Sequence, residues 1–168
     1  MALTQVQGAM VGPTGFANLS GITFPATQVP SSDANTLDDY EEGTWTPTAF
    51  GSSTTGTTTY ADRAGFYTKI GNQVTASFYV DWTSLTGTGA LRFGGIPFTV
   101  KNVSNINITG TLMTNGLNWT GGTSIVLYCN QASTYFMMYG SSDDAGWAAQ
   151  QCVNESAAVI GTITYFTD

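Results

Sequence analysis

The stretch Gly65-Phe66-Tyr67-Thr68-Lys69-Ile70-Gly71-Asn72-Gln73-Val74-Thr75-Ala76-Ser77-Phe78-Tyr79-Val80-Asp81-Trp82 decides the fold class. Two runs rich in β-branched and aromatic residues flank Gly71-Asn72. A two-residue loop of this kind suits a hairpin, because glycine accepts the positive φ that a type II′ turn needs at its first central position. In the second run Val74, Ala76, Phe78, Val80 and Trp82 share one face, and Thr75, Ser77, Tyr79 and Asp81 share the other. That period of two is the mark of a half-buried strand, so the apolar set is expected to face the core.

Outward from this hairpin, short apolar clusters recur between glycine-rich breaks, and further strands are expected over residues 90–93, 98–100, 105–113, 124–130, 134–139 and 158–166. About eight strands in all predict an all-β domain, an antiparallel β-sandwich of jelly-roll-like form. The runs 125–129 and 135–139 are continuously apolar rather than alternating. They therefore read as strands covered on both faces, with another subunit as a candidate for the second cover. Residues 147–152 read as a single helical turn or a loop.

Residues 1–43 differ in kind: glycine, proline and small polar residues dominate, and Phe16, Ile22, Phe24 and Val29 stand as isolated apolar anchors. Such a segment cannot build a core. It is either disordered or extended over a neighbouring surface, where ordering it costs about 1–2 kcal/mol per residue and side-chain contacts must offset that. The second reading is favoured, giving an arm over 1–43 and a β-sandwich head over 44–168.

Four Lys and Arg stand against eleven Asp and Glu, a formal charge of −7, and there is no histidine. The charge opposes a groove that tracks phosphates, so nucleic acid is not an expected partner. Without histidine, histidine-based triads and His-ligated metal sites are excluded. No apolar run approaches the roughly 20 residues a membrane span needs, and the N-terminus lacks the basic and apolar regions of a signal peptide. Synthesis in the cytoplasm is expected. Cys129 and Cys152 either pair or remain buried free thiols, the latter being favoured in a chain without a secretory signal.

The segment Phe24-Pro25-Ala26-Thr27-Gln28-Val29-Pro30-Ser31-Ser32-Asp33-Ala34-Asn35-Thr36-Leu37-Asp38-Asp39-Tyr40-Glu41-Glu42-Gly43-Thr44-Trp45-Thr46-Pro47 resembles a signature of bacteriophage tail-fibre and related virion surface proteins. Residues 64–74 and Gly94-Gly95-Ile96-Pro97-Phe98 are similar to the strand patterns that follow it there, so the resemblance covers residues 22–100. It implies a β-sandwich or jelly-roll head, a homotrimer, carried on the virion among other virion proteins and used to touch the host. In that family the module often ends a long fibre chain, whereas a short arm precedes it here. That keeps a capsid decoration (cement) or baseplate role in view beside the tail-fibre or tailspike-type adhesin.

Asp38, Asp39, Glu41 and Glu42 crowd like charges around Tyr40, which favours a solvated stretch unless cations compensate. With Trp45 expected to start the first strand and clamp the arm, residues 38–45 read as a hinge; an acidic loop followed by a core tryptophan is the alternative. Trp119, Tyr135, Tyr139 and Trp147 lie in or beside Gly/Asn/Ser-rich loops, the mixture of adaptable recognition surfaces and sugar-stacking sites. They are the expected receptor-binding residues, for a host surface glycan or protein, with core packing as the competing account of each. No catalytic residue, metal or cofactor is expected. Adjacent acids such as Asp143-Asp144 point to opposite faces of an extended chain and do not make a glycosidase pair. The carboxylates of residues 33–39 lack the spacing of an EF-hand loop.

Overall fold

The hairpin forms where the alternation places it. In the computed structural model, which describes residues 35–119, 124–152 and 155–168 together with Phe24, Thr27, Val29 and residues 31–33, it joins β3 (Thr58–Ile70) to β4 (Gln73–Leu85). Gly71 has φ +56 while Asn72 stays out of the left-handed region, so only the first loop residue requires glycine. Val74, Ala76, Phe78, Val80 and Trp82 are all buried. The other strands are β1 (Tyr40–Trp45), β2 (Thr48–Gly51), β5 (Leu91–Gly94), β6 (Ile108–Asn115), β7 (Ser124–Cys129), β8 (Tyr135–Ser141), β9 (Ala148–Ala149) and β10 (Ala157–Phe166). No helix occurs among the described residues.

All pairings are antiparallel, in the order β1-β3-β4-β10-β6-β7-β8-β5-β2, with β9 added to β8. A flat sheet would set β1 and β8, six spacings apart, roughly 29 Å from each other at about 4.8 Å per strand. Instead the Trp45 and Phe136 rings meet edge to face at 6.4 Å. The sheet therefore curls over on itself, and its two halves enclose one core, the sandwich-like arrangement expected of an all-β chain. Trp45 also meets Phe78 at 5.6 Å, Phe78 meets Phe93 at 5.3 Å, and Phe136 meets Tyr165 at 5.6 Å. The far edge closes by side chains: the Tyr60 hydroxyl of β3 accepts from the Ala49 amide of β2 at 2.9 Å, and Thr58 Oγ1 donates to the Ala49 carbonyl at 2.6 Å.

Two glycine–aromatic pairs interlock β1 and β3. The register sets Gly43 opposite Tyr67 and Trp45 opposite Gly65. A Cβ on Gly65 would lie 2.5 Å from Trp45 Nε1, and one on Gly43 would lie 2.6 Å from Tyr67 Cζ. Each ring thus lies across the bare backbone of the facing strand, which glycine alone permits. Residues Gly43-Thr44-Trp45 and Gly65-Phe66-Tyr67 are two halves of one packing device.

Several sequence expectations are corrected. Trp45 ends β1 rather than starting it. Residues 40–43, assigned to the arm, belong to this edge strand because their backbone pairs with residues 67–70 of β3. Residues 98–100 are not a strand: Pro97 has no amide hydrogen to give a ladder, and the Tyr165 hydroxyl takes the backbone's place by donating to the Phe98 carbonyl at 3.1 Å. The strand expected from residue 105 begins at Ile108, because Asn105 turns with φ +63. Residues 147–152 are neither helical turn nor plain loop, since Ala148 and Ala149 pair with Gly140 and Tyr139. The run 125–129 does alternate in burial, with Leu127 and Cys129 in the core and Val126 and Tyr128 half-buried on the outside, whereas in 135–139 Phe136, Met137 and Met138 are buried in succession, so this strand is covered on both faces there as expected.

Candidate functional site

The outward side chains of β6, β7 and β8 shape a cavity of about 260 Å³ on the outer face of the curled sheet. Alternation decides who lines it. On β7, Leu127 and Cys129 point into the core, so Val126 and Tyr128 point out. On β8, Phe136 and Met138 point in and Tyr139 points out. The register sets Val126 opposite Tyr139 and Tyr128 opposite Met137, making Tyr128 and Tyr139 diagonal neighbours. Their ring centroids are 4.5 Å apart at 41°, within the range of diagonal cross-strand contact.

The rim comes from two further places. Asn107, just before β6, and Thr109, within it, are exposed, and their side chains make no hydrogen bond to another described residue. Trp147 arrives from the other side. The chain leaves β8 through a turn at residues 142–145, closed by the Ala145 amide donating to the Ser142 carbonyl at 3.4 Å, with Asp144 at φ +56. This brings Trp147 back to the cavity just before β9 pairs with β8, with 73% of its surface in solvent. An exposed tryptophan held at the mouth of a half-buried tyrosine pair is an unspent contact surface.

The electrostatics are simple. Among the described residues no lysine, arginine or carboxylate lines the cavity; Asp143 and Asp144 stand in the exposed turn leading to Trp147. Burial, and after it the neighbouring Tyr139 hydroxyl, raise the Tyr128 hydroxyl above its ordinary ionisation range. It therefore stays a neutral phenol and donates to Asn130 Oδ1 at 2.6 Å. Such a lining offers stacking area and neutral hydrogen-bonding groups.

Of the four expected recognition aromatics, only Tyr139 and Trp147 share this cavity. Tyr135 is engaged elsewhere: Phe50 meets its ring edge to face at 6.1 Å, and the Arg92 guanidinium lies 4.3 Å above it. Trp119 is partly exposed after β6 and does not line the cavity. Sequence reasoning missed Tyr128. The signal was the period of two inside the continuous apolar run, which places Val126 and Tyr128 together on one face.

The residues expected to form a hinge are anchored to the sheet. Asp39 and Lys69 form a buried ion pair, with side chains 7% and 4% exposed. The Asp39 carbonyl also accepts from the Gly71 amide at 2.8 Å, tying this point to the hairpin loop. Asp38 accepts from the Ser31 amide at 2.9 Å. Glu41 accepts from the Tyr67 hydroxyl and Glu42 from the Tyr40 hydroxyl. The bond to Glu41 is the main cause that pushes the Tyr67 hydroxyl up to about 12. The expected crowding of charge is thus relieved by one lysine and two phenols. Among the expected arm anchors, Phe24 is half-buried with its ring 5.9 Å from that of Tyr40, and Val29 is exposed. Phe16 and Ile22 lie outside the described residues. Both cysteines are free, and no three His, Cys, Asp or Glu side chains converge among the described residues.

No protein-family model matches the chain, and no curated protein or solved structure matches it.

Proposed function

We propose that this chain is a bacteriophage virion structural protein, an adhesin of tail-fibre or tailspike type that binds rather than transforms its target. On this reading the residues before β1 carry the docking segment, and the β-body is presented to the host surface as a homotrimer. The single observation that carries the proposal is the uncharged aromatic cavity of Tyr128, Tyr139 and Trp147 on the outer sheet face. The resemblance of residues 24–47 to a virion signature supports the setting, and the glycine–aromatic lock gives residues 43–45 of that signature a physical role.

The trimer is supported by the neighbouring outer face of β4, β10 and β6. There Ser77 and Thr162 are hydrogen-bonded at 2.8 Å, Thr75 and Thr164 at 3.0 Å, and Ile160 and Met113 stand paired and exposed. On a chain of charge −7 this uncharged strip, which ends at Asp81 on the same face of β4 opposite Ala158, is where copies can meet with little mutual repulsion. Weak sites on several joined copies gain avidity, of order 10² to 10⁴, without new contacts.

The test compares binding of the purified full chain to intact host bacteria and to phage capsids emptied of DNA. Binding to bacteria that is lost in Trp147→Ala is the expected result. Binding to capsids alone refutes the adhesin reading in favour of a decoration protein.

A further inference from the structure

We propose that the Tyr128–Tyr139–Trp147 cavity takes a neutral hexopyranose unit and discriminates against acidic sugars; this deepens the adhesin reading and rests on it for its biological setting. Three observations lead to it. First, the tyrosine rings touch, with centroids 4.5 Å apart. A cation held by an aromatic cage sits over ring faces within about 6 Å of each centroid, and rings already in contact leave no room between them. Rings this close and tilted by 41° pack partly onto each other, so the pair offers the outward ring surface, and not a slot between rings, to the apolar C–H face of a pyranose.

Second, the polar groups at the rim are neutral and able both to donate and to accept. Asn107 supplies an amide and Thr109 a hydroxyl, neither engaged by another described residue. A ring of alternating hydroxyls, each donor and acceptor, is the complement of such groups. Third, the charge is wrong for an anion. No cationic side chain among the described residues lines the cavity, and Asp143 and Asp144 lie in the turn that delivers Trp147. A uronate, sialate or phosphorylated sugar would lose hydration, find no partner and meet these like charges. Trp147 lines the same cavity with 73% of its surface in solvent, and its indole is the surface that bound sugar removes from water.

The probes are methyl β-D-galactopyranoside, methyl β-D-glucopyranoside and methyl α-D-mannopyranoside, with glucuronate and N-acetylneuraminate as the acidic counterparts. They are titrated into the full-length protein while the tryptophan indole N–H resonances are followed by NMR. At least one neutral glycoside is expected to shift the Trp147 resonance with a dissociation constant in the millimolar range, at least roughly tenfold tighter than either acid. Trp147→Ala and Asn107→Ala, both at exposed positions that leave the core untouched, are expected to weaken binding by about tenfold or more each. Tighter binding of an acidic sugar, no response to any of the three neutral glycosides, or responses confined to other tryptophans overturns the proposal. Cell binding by the same protein is measured in parallel. If cells are bound but neutral glycosides neither shift Trp147 nor compete, this inference fails while the adhesin reading stands. If the glycosides bind but cells do not, the adhesin reading fails and the sugar site stands.

Discussion

Replacing Lys69 by methionine removes the cation paired with Asp39 and leaves a carboxylate buried just before β1. The two side chains are 4% and 7% exposed, and the lysine ammonium lies 5.5 Å from the Phe98 ring centroid. Methionine keeps the length and the apolar packing of the stem, so the change isolates the charge. Breaking a buried pair by removing one partner costs roughly 3–5 kcal/mol, because the remaining ion has lost both water and counter-charge. For a chain of this length that corresponds to a thermal midpoint lower by roughly 6–20 °C. Asp39→Leu should cost a similar amount. The double variant Asp39→Leu with Lys69→Met, which leaves no charge behind, is expected to recover to within about 1–2 kcal/mol of the parent. The assay is urea unfolding followed by far-UV circular dichroism on all four proteins, so that the coupling term is read directly. Limited proteolysis adds the structural readout: each single variant should be nicked within residues 38–43 sooner than the parent, because Asp39 fastens β1 to the hairpin. A Lys69→Met protein within 1 kcal/mol of the parent, with unchanged proteolysis, would refute the reasoning and show that the pair is solvated.

The glycine–aromatic lock predicts that Gly65→Ala destabilises by about 1–3 kcal/mol through overpacking against Trp45. Gly71→Ala, with nothing within 4 Å but φ +56, should cost only about 1–2 kcal/mol through backbone strain; urea midpoints of the two variants check both, and a silent Gly65→Ala would remove the lock. Burial pushes the Cys129 thiol up to about 12 and raises Cys152 as well. In the native protein at pH 8, Cys152 should therefore react with a thiol reagent before Cys129 does, as mass spectrometry of the labelled peptides would show. The same shifts fix a sign. Above pH 9 the unfolded chain releases thiol protons that the folded chain retains, so stability falls as pH rises toward 11, and a thermal midpoint flat over that range contradicts it. Ile160→Lys, placing charge in the neutral outer strip, is expected to convert a sedimenting trimer to monomer with little loss of thermal stability; a parent that sediments as a monomer refutes the trimer outright.

The β3–β4 hairpin was legible because everything that makes it is local: a period of two in side-chain polarity, and one glycine at the position whose φ turns positive. The all-β class followed from the same rhythm repeated along the chain. The ends of β1, the lock of Gly43 with Tyr67 and Trp45 with Gly65, and the pairing of Asp39 with Lys69 across 30 residues were not legible. They depend on which strand lies beside which and in what register, and side-chain pattern along one strand does not specify its neighbour. The candidate site divides in the same way. Tyr139 and Trp147 were visible in the sequence as aromatics beside loops. That they meet each other and Tyr128, while Tyr135 is taken by Arg92 and Phe50, was decided by β7–β8 register and by the turn that returns Trp147 to the sheet. Burial alternation is a property of the strand and can be read from it; proximity across strands is a property of the closed sheet, and only the curled core that draws Trp45 onto Phe136 determines it.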